Sequence, residues 1–315
     1  MTREHIEIAI IGGGPAGLAA ALYASRGRAK TVVFERGIPG GQIVTTDWVE
    51  NYPGFPKGVS GQELGDLMTQ QAEEHGAIIR SFAPVESVVV GDDGHFTVAS
   101  EGEEFDADVV ILATGAVPRK LGIEGEAEFT GRGVSWCATC DGALFRDKIV
   151  AVVGGGDAAV EEAMFLTKFA SRVHLIHRRD AFRATKCIQE RCRVNPKIEE
   201  HLSRVPVEII GENGKVIGVR LESTKGEPEE VLLLDGVFIF VGVHPVNELA
   251  LGLVKTSDNG YITIDHDGRT SVPGLFAAGD VTDSELKQVI TAAAKGASAA
   301  FEALRYIDET AACAI

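Results

Sequence analysis

Positive charge and cysteine are both scarce in this sequence. The 315 residues include 30 Lys and Arg against 46 Asp and Glu, so the formal net charge is −16. Binding to nucleic acid needs clustered Lys and Arg, and this balance therefore argues against a nucleic-acid partner. The 5 cysteines are few and odd in number, which does not fit the disulfide framework of a secreted protein.

Long apolar runs are also lacking. No stretch approaches the roughly 20 apolar residues that a helix needs to cross a bilayer. The most apolar stretch, residues 231–243, is interrupted by Asp235 and by two glycines. The apolar run at 6–11 leads into a glycine turn, which is typical of a first strand and not of a signal peptide. We therefore expect a cytoplasmic protein without a membrane partner.

Two segments of the chain repeat one pattern. An apolar run at 7–11 enters a glycine-rich turn, and so does a second run at 149–153. Each turn is followed by a helical stretch and then by another apolar run. Strand, glycine turn, helix and strand in this order are the context that a dinucleotide-binding fingerprint requires. The sequence therefore predicts two Rossmann-like units.

The ends of the two units also match. Gly115 follows Asp108 by seven positions, and Gly242 follows Asp235 by seven. The remainder, about 247–315, is too short for a third unit, so we expect it to return and complete the first. The fold class is then α/β, with two dinucleotide-binding domains and one inserted into the other. The predicted boundaries give a first domain of residues 1–117 and 247–315 and an inserted domain of residues 118–246.

The first glycine turn has the residues that a pyrophosphate site needs. Gly12 permits the tight turn, Gly14 lets the backbone approach the pyrophosphate, and Gly17 lets the helix pack closely on the strand. The pyrophosphate would then lie on the helix N-terminus. Glu35 follows Gly12 by 23 residues and lies at the end of the next strand. A carboxylate there can accept hydrogen bonds from ribose hydroxyls. The alternative is a plain glycine turn with a surface Glu.

The second turn differs at the equivalent position. His177 stands there, followed by Arg178 and Arg179, with Arg183 close behind. A carboxylate would repel a 2′-phosphate, whereas arginines bind it in a bidentate manner. We therefore expect FAD at the first site and NADPH at the second, a solvated basic patch being the alternative. We call each glycine turn, with the start of the helix behind it, a cradle. The residues assigned to the second cradle are Gly154, Gly156, Asp157, Ala158 and Ala159, with Ala159 in the place of the third glycine.

Cys137 and Cys140 form a Cys-x-x-Cys pair just before the second unit. Such a pair favours the thiolate form, and Asp141 directly after it can act as an acid or a base. The alternative is half of a zinc site, which needs two further ligands at a suitable spacing. No histidine lies near enough in sequence to complete a familiar metal motif, so no metal is expected at the pair. The other cysteines, Cys187, Cys192 and Cys313, are expected to be ordinary free thiols.

Several short motifs accompany these features. They are Gly40-Gly41-Gln42, Glu50-Asn51-Tyr52-Pro53-Gly54, Ala113-Thr114-Gly115, Cys137-Ala138-Thr139-Cys140-Asp141-Gly142, His177-Arg178-Arg179-Asp180-Ala181-Phe182-Arg183, Ala278-Gly279-Asp280 and Lys287-Gln288-Val289. With them the sequence resembles the low-molecular-weight, bacterial-type thioredoxin reductases over nearly its whole length. The resemblance implies an NADPH- and FAD-dependent enzyme that reduces oxidised thioredoxin and forms a homodimer. It also implies a rotation of one domain during turnover.

The resemblance further implies roles for individual residues. Electrons would pass from NADPH through FAD to the disulfide at Cys140, and Cys137 would attack thioredoxin while Asp141 manages protons. The residues implied to hold FAD are Gly12, Gly14, Pro15, Ala16, Gly17, Glu35, Gly41, Gln42, Asn51, Gly279, Asp280, Gln288 and Val289. Open alternatives are a reductase for a peroxiredoxin or a glutaredoxin-like protein, the flavoprotein of an alkyl hydroperoxide system, and a non-catalytic flavin-bound redox sensor.

Overall fold

A computed structural model of the chain describes residues 3–46, 48–49, 51–91, 94–284 and 286–313. The chain divides into two compact units, Met1–Val117 with His244–Ile315 and, between them, Pro118–Val243. Strands and helices of the first unit before the division are β1 (Glu4–Ile11), α1 (Pro15–Arg26), β2 (Thr31–Phe34), α2 (Gly61–Glu74), β3 (Ile78–Arg80), β4 (Val85–Val90), β5 (Phe96–Ser100), β6 (Glu103–Leu112) and β7 (Ala116–Pro118).

The inserted unit and the returning segment follow in chain order. The inserted unit contains β8 (Val134–Ser135), α3 (Ala138–Asp141), β9 (Ile149–Gly154), α4 (Asp157–Leu166), β10 (Arg172–His177), α5 (Lys186–Arg193), β11 (Ile198–Leu202), β12 (Arg204–Glu212), β13 (Lys215–Ser223), β14 (Glu230–Leu233) and β15 (Gly236–Phe240). The return adds β16 (Val243–Pro245), β17 (Leu275–Ala277) and α6 (Val289–Cys313).

The first unit is built on a seven-stranded sheet in the order β3-β2-β1-β6-β5-β4, with β17 paired to β6. β1 runs parallel to β2 and β6, while β4 and β5 are antiparallel. Ile10 and Ile11 belong to two different core clusters, so β1 is buried on both faces, as its continuous apolar run predicts. The pairing of β17 with β6 brings the last part of the chain back into the first sheet.

The inserted unit has a parallel sheet in the order β11-β10-β9-β15-β8 and a three-stranded antiparallel sheet, β12-β13-β14. Helices α4 and α5 pack against one apolar cluster of the parallel sheet. Residues of the antiparallel sheet pack with Val153, Ile176 and Ile239 in another cluster. The predicted fold class, an α/β protein with two Rossmann-like units and one inserted into the other, is confirmed.

The second division of the chain lies at 243/244, three residues before the predicted 246/247. The backbone explains the difference, because the N–H of Val246 donates to the Gly115 carbonyl at 2.9 Å. The hydroxyl of Thr114 also donates to the Val246 carbonyl. These bonds attach residues 244–246 to the first unit.

Among the described residues, none of the helices has the length and apolarity that crossing a membrane requires.

Candidate active site

The first glycine turn lies between β1 and α1, and its three predicted glycines are needed for different reasons. Gly12 has a φ of +107°, and a Cβ there would collide with the Ala113 carbonyl. A Cβ at Gly17 would collide with the carbonyl of Gly12. At Gly14 the nearest atom to a Cβ would be the Cα of Gly41, at 3.8 Å. Gly14 therefore leaves space beside the start of α1, whose first N–H groups have no partner within the helix.

The side chain of Glu35 is hydrogen-bonded to the backbone of this turn. Its Oε2 accepts the N–H of Gly13 at 2.7 Å, and its Oε1 accepts the N–H of Gly37 at 2.8 Å. A Cβ at Gly13 would lie 3.0 Å from the Cβ of Glu35, so a larger residue there would crowd the Glu35 side chain. A carboxylate oxygen can accept two hydrogen bonds, and each Glu35 oxygen accepts one here, which leaves capacity for ribose hydroxyls. Glu35 is predicted from the sequence, whereas Gly13 is not.

The segment around Gly41 packs on the same turn. Gly41 has a φ of +65°, and a Cβ there would lie 2.8 Å from the Cα of Gly14. The N–H of Gly40 donates to the Gly13 carbonyl at 2.7 Å, which fixes this approach. The side-chain amide of Gln42 donates to the Ala116 carbonyl at the start of β7. Gly41 is therefore held against the turn, and Gln42 is held against the start of β7.

The remaining residues assigned to FAD come together at the start of α6. The amide of Asn51 donates to Oε1 of Gln288 at 2.9 Å, across 237 positions of sequence. Val289 is the first residue of α6. Gly279 has a φ of +75°, and a Cβ there would lie 2.8 Å from the Cβ of Ala16 near the start of α1. Glu50, from the same motif as Asn51, lies outside the described residues.

Asp280 lies in a partly buried group with two lysines. Burial raises the pKa of Asp280, and the charges of Lys287 and Lys295 oppose that rise. Burial also lowers the pKa of both lysines, although Asp280 opposes this. The ammonium of Lys287 lies 4.3 Å from the ring centre of Tyr261, a cation–π distance. Lys295 was not found from the sequence, because an isolated lysine within a helical run carries no signal of the carboxylate it faces.

The second glycine turn lies between β9 and α4 and repeats the layout of the first. A Cβ at Gly156 would have no atom within 4 Å, so this glycine leaves space beside the helix start, as Gly14 does. A Cβ at Gly154 would collide with Ala159 and with the Phe240 carbonyl. Asp157 and Ala158 are the first two residues of α4. The carboxylate of Asp157 accepts the N–H of Thr185 at 2.6 Å.

His177 is placed differently from the prediction that grouped it with the arginines. Its side chain is buried, 6% exposed, beneath Gly155, where a Cβ would collide with the imidazole ring. Burial lowers its pKa, and the charges of Arg183, Arg179 and Arg178 lower it further, so the ring is neutral at physiological pH. The buried Nε2 has no hydrogen-bond partner among the described residues. His177 supports the turn and is not presented to a phosphate.

The three arginines are exposed around this turn. The N–H of Arg183 donates to the Gly155 carbonyl at 2.7 Å. This bond fixes residues 178–183, the basic loop, to the glycine turn. The carbonyl of Arg179 accepts the N–H of Ser203 at 2.9 Å. Within the described part of the chain, no carboxylate forms an ion pair with Arg178, Arg179 or Arg183 (the pairs found there involve other cations). Their charge is therefore available to an anion.

The Cys-x-x-Cys pair forms a disulfide between Cys137 and Cys140, with their Cα atoms 5.3 Å apart. Cys137 caps the short helix α3, and the N–H of Cys140 donates to the Cys137 sulfur at 3.2 Å. The N–H of Asp141 donates to the Cys137 carbonyl at 3.1 Å. The three residues predicted as catalytic therefore lie in one turn of chain.

Ser135 was missed by the sequence analysis. Its hydroxyl donates to Oδ2 of Asp141 at 2.5 Å and accepts the N–H of Cys137 at 3.0 Å. It therefore holds the Asp141 carboxylate and one end of the disulfide turn in a fixed relation. No motif marks this serine, since it precedes the cysteine pair and is separated from Asp141 by six positions.

The remaining cysteines fit their expected role as free thiols where they are described. Cys187 is exposed, and Cys192 is buried. Burial raises the pKa of Cys192 to about 11, which keeps it in the unreactive thiol form. The side chain of Cys313 lies outside the described residues.

Two nucleotide-sized cradles and a disulfide in one chain match a known family. The family model for pyridine nucleotide-disulphide oxidoreductases matches residues 6–296. The thioredoxin reductase of Listeria monocytogenes is 45% identical over 303 residues, which cover 96% of this chain and 94% of that protein. That of Mycolicibacterium smegmatis is 47% identical over 314 residues, covering 96% and 97%. The chain belongs to the thioredoxin reductases of this family.

Solved structures agree with this assignment. The crystal structure of thioredoxin reductase from Streptococcus pyogenes matches with a TM-score of 0.92 and 42% identity, covering 98% of this chain and 100% of that one. The resemblance inferred from the motifs is confirmed. Thioredoxin reductases of this family are flavoprotein oxidoreductases that use FAD and NADPH.

Proposed function

We propose that this chain transfers electrons from NADPH to the disulfide of oxidised thioredoxin, using FAD in the first unit and the Cys137–Cys140 pair. One observation carries the proposal. The Cys137–Cys140 disulfide, with Asp141 beside it, lies in the same unit as a glycine cradle next to three exposed arginines, none of which forms an ion pair within the described ranges. A redox-active pair and a site for a phosphorylated dinucleotide in one unit are what such a transfer requires.

The first cradle fits FAD. The open space at Gly14 beside the start of α1 admits a pyrophosphate, and Glu35 has acceptor capacity for a ribose. Asp280 and the paired amides of Asn51 and Gln288 supply polar groups for the rest of the cofactor. FAD, when bound, supplies two-electron chemistry between the pyridine nucleotide and the disulfide. We assign residues 1–117 and 244–315 to its binding.

The second cradle fits NADPH. Gly156 leaves the space for the pyrophosphate, and Arg178, Arg179 and Arg183 are available to the 2′-phosphate. His177 is buried beneath Gly155 and supports the turn, so the phosphate role is assigned to the arginines. A preference for NADPH over NADH follows, since NADH lacks the group that the arginines would bind.

The disulfide turn performs the thiol chemistry. Two electrons and two protons convert the disulfide into two thiols. The Cys137 thiolate then attacks the disulfide of thioredoxin, forming a mixed disulfide and releasing one partner thiolate. Cys140 attacks the mixed disulfide, which restores the Cys137–Cys140 bond and frees the second partner thiolate. The N–H of Cys140 stabilises the Cys137 thiolate, and Asp141, held by Ser135, relays protons to the departing sulfurs.

We further propose that the enzyme is a cytoplasmic homodimer, as its resemblance to thioredoxin reductases implies. Light scattering coupled to size-exclusion chromatography tests the assembly. A mass of one chain at micromolar concentration would contradict the dimer and leave the electron transfer proposal intact.

The activity test mixes the flavin-loaded enzyme anaerobically with NADPH and oxidised thioredoxin and follows the NADPH absorbance. We expect rapid NADPH loss that depends on thioredoxin and stops in Cys140→Ser, in which NADPH still reduces the flavin. Turnover only with a peroxiredoxin or a glutaredoxin-like protein would replace thioredoxin as the partner. Flavin reduction without turnover on any disulfide would indicate a redox sensor and contradict the proposal.

A further inference from the structure

Two buried histidines of the inserted unit face each other away from the disulfide turn. His174 lies on β10 and His201 on the neighbouring edge strand β11, and both side chains are 8% exposed. Nδ1 of His174 and Nε2 of His201 are 2.9 Å apart. Glu199 pairs with His174 in the strand register and lies two residues from His201, so all three side chains point to one face of the sheet.

The carboxylate of Glu199 completes a triangle with the two ring nitrogens. One carboxylate oxygen lies 3.7 Å from Nδ1 of His174, and the other lies 3.7 Å from Nε2 of His201. Ligands of a tetrahedral Zn²⁺ ion lie about 2.0–2.1 Å from the metal, and therefore about 3.3 Å from one another. The separations of 2.9, 3.7 and 3.7 Å lie on either side of that value. Shifts of a few tenths of an ångström bring all three groups to one ion.

The surroundings set which ring nitrogens are available. Nδ1 of His201 faces Oε2 of Glu230 at 3.6 Å, and this carboxylate favours a proton on Nδ1. Nε2 of His201 is then a lone-pair acceptor, and His174 donates to it through Nδ1. A carboxylate behind a ligating histidine is the usual second layer of a zinc site, because it fixes the ring and raises its basicity.

We propose that His174, His201 and Glu199 bind a Zn²⁺ ion, with water as the fourth ligand. Two histidines and one carboxylate with an open position are a common donor set for this ion. On binding, His174 changes tautomer, since its proton moves from Nδ1 to Nε2 and Nδ1 becomes a ligand. No net proton is released by this change.

Two arginines near the site do not prevent binding. Arg172 lies 3.6 Å from Glu199, but its side chain is 58% exposed and such a surface pair contributes little. Arg204 lies 3.0 Å from Glu227 and 3.8 Å from Glu230, so its charge is balanced mainly by Glu227, which is not a proposed ligand.

The ion would join the edge strand β11 to β10. β10 ends at His177, which supports the glycine turn of the second cradle, and is followed directly by Arg178 and Arg179. Zinc at this place would therefore brace the strand that carries the basic loop. The proposed ion takes no part in the electron transfer, and its binding does not depend on the proposed activity.

The test titrates ZnCl₂ into the metal-free, oxidised holoenzyme by calorimetry. The Cys137–Cys140 disulfide stays intact, so these sulfurs cannot bind the ion. We expect one Zn²⁺ per chain, with X-ray absorption showing only nitrogen and oxygen neighbours at about 2.0–2.1 Å. Glu199→Gln, an exposed change that preserves the fold, should weaken binding by about 10-fold or more, and His201→Gln by about 100-fold or more.

The matched control is His266→Gln. His266 belongs to the other described group of potential metal ligands, with Asp265 and Asp267, and its side chain is 87% exposed. This variant should bind zinc as the wild type does. No stoichiometric binding by the wild type would overturn the proposal. So would sulfur neighbours at about 2.3 Å, or binding that Glu199→Gln and His201→Gln leave unchanged.

Discussion

Each of the two glycine turns is supported by a side chain at the equivalent position, which is a carboxylate in the first turn and an imidazole in the second. Glu35 and His177 each follow the first glycine of their turn by 23 residues, and each lies beneath the middle glycine, Gly13 or Gly155. Glu35 accepts two backbone N–H groups there, whereas the His177 ring packs 5.5 Å from the ring of Phe182. The main role of the residue at this position is therefore to support the glycine turn.

The difference shows where nucleotide choice would reside. A carboxylate can support the turn and still accept a ribose hydroxyl, because its oxygens have spare capacity. A buried neutral imidazole cannot bind a phosphate, so that role passes to the exposed arginines behind it. Four experiments test this difference between the two turns.

The largest effect is expected from Arg178→Ala combined with Arg179→Ala. Charge-assisted bonds contribute about 1.5–3 kcal/mol each, so kcat/KM for NADPH should fall by about 100-fold or more. The value for NADH should change little, and steady-state kinetics with both nucleotides measures the ratio. An equal loss for both would refute the assignment of the arginines to the 2′-phosphate.

The second largest effect is expected from Gly155→Ala. The new methyl group would collide with the His177 ring, and overpacking of this kind costs about 1–3 kcal/mol of unfolding free energy. Gly156→Ala is the control, since its methyl group meets no atom within 4 Å and should change stability by less than about 1 kcal/mol. Denaturant unfolding measures both, and similar losses would show that His177 is not the obstacle.

A smaller effect is expected in the pH dependence of stability. The unfolded His177 has a pKa near 6.5, and burial lowers it in the folded chain. Between these two values the unfolded chain binds more protons, so stability falls as pH drops below about 6.5 and is unaffected above it. His177→Phe should remove this part of the slope, at most about 1.4 kcal/mol per pH unit. Parallel stability curves for variant and wild type from about pH 7 to 5.5 would contradict it.

The smallest effect is expected from Ser135→Ala, which tests the disulfide turn. Loss of the bond to Asp141 should lower kcat by about 3- to 10-fold and move the acid limb of its pH profile to higher pH. Ser135→Thr keeps the hydroxyl and should restore the profile. A drop in kcat with an unchanged profile would mean that Ser135 only supports the fold.

Much of the fold was predictable because it depends on local patterns. The apolar runs before Gly12 and Gly154, with the helices behind them, fix the strand–turn–helix units wherever they occur. The start of α6 has no such pattern: the helix begins at Val289, where the Gln288 carbonyl accepts the N–H of Ala292. Side chains that act through space, such as Ser135 on Asp141, give no pattern along the chain.

The burial of His177 could not be predicted for a related reason. Its sequence position beside two arginines suggests a shared function, but the strand ends at His177 and the arginines lie in the loop that follows. His177 ends β10 and points under the turn, while Arg178 and Arg179 begin the exposed loop. Only the tertiary position of Gly155 reveals that the imidazole is part of the turn.

The pairing of β17 with β6 has a consequence for synthesis. All residues of the inserted unit leave the ribosome before Leu275, and this unit can fold as soon as residue 243 has emerged. The first unit begins earlier but must wait, because its sheet lacks β17 and α1 lacks its partner α6. The first unit is therefore the first to begin translation and the last to be completed. Its sheet stays open until β17 is made, and this open sheet is the surface that a nascent chain would most need to protect.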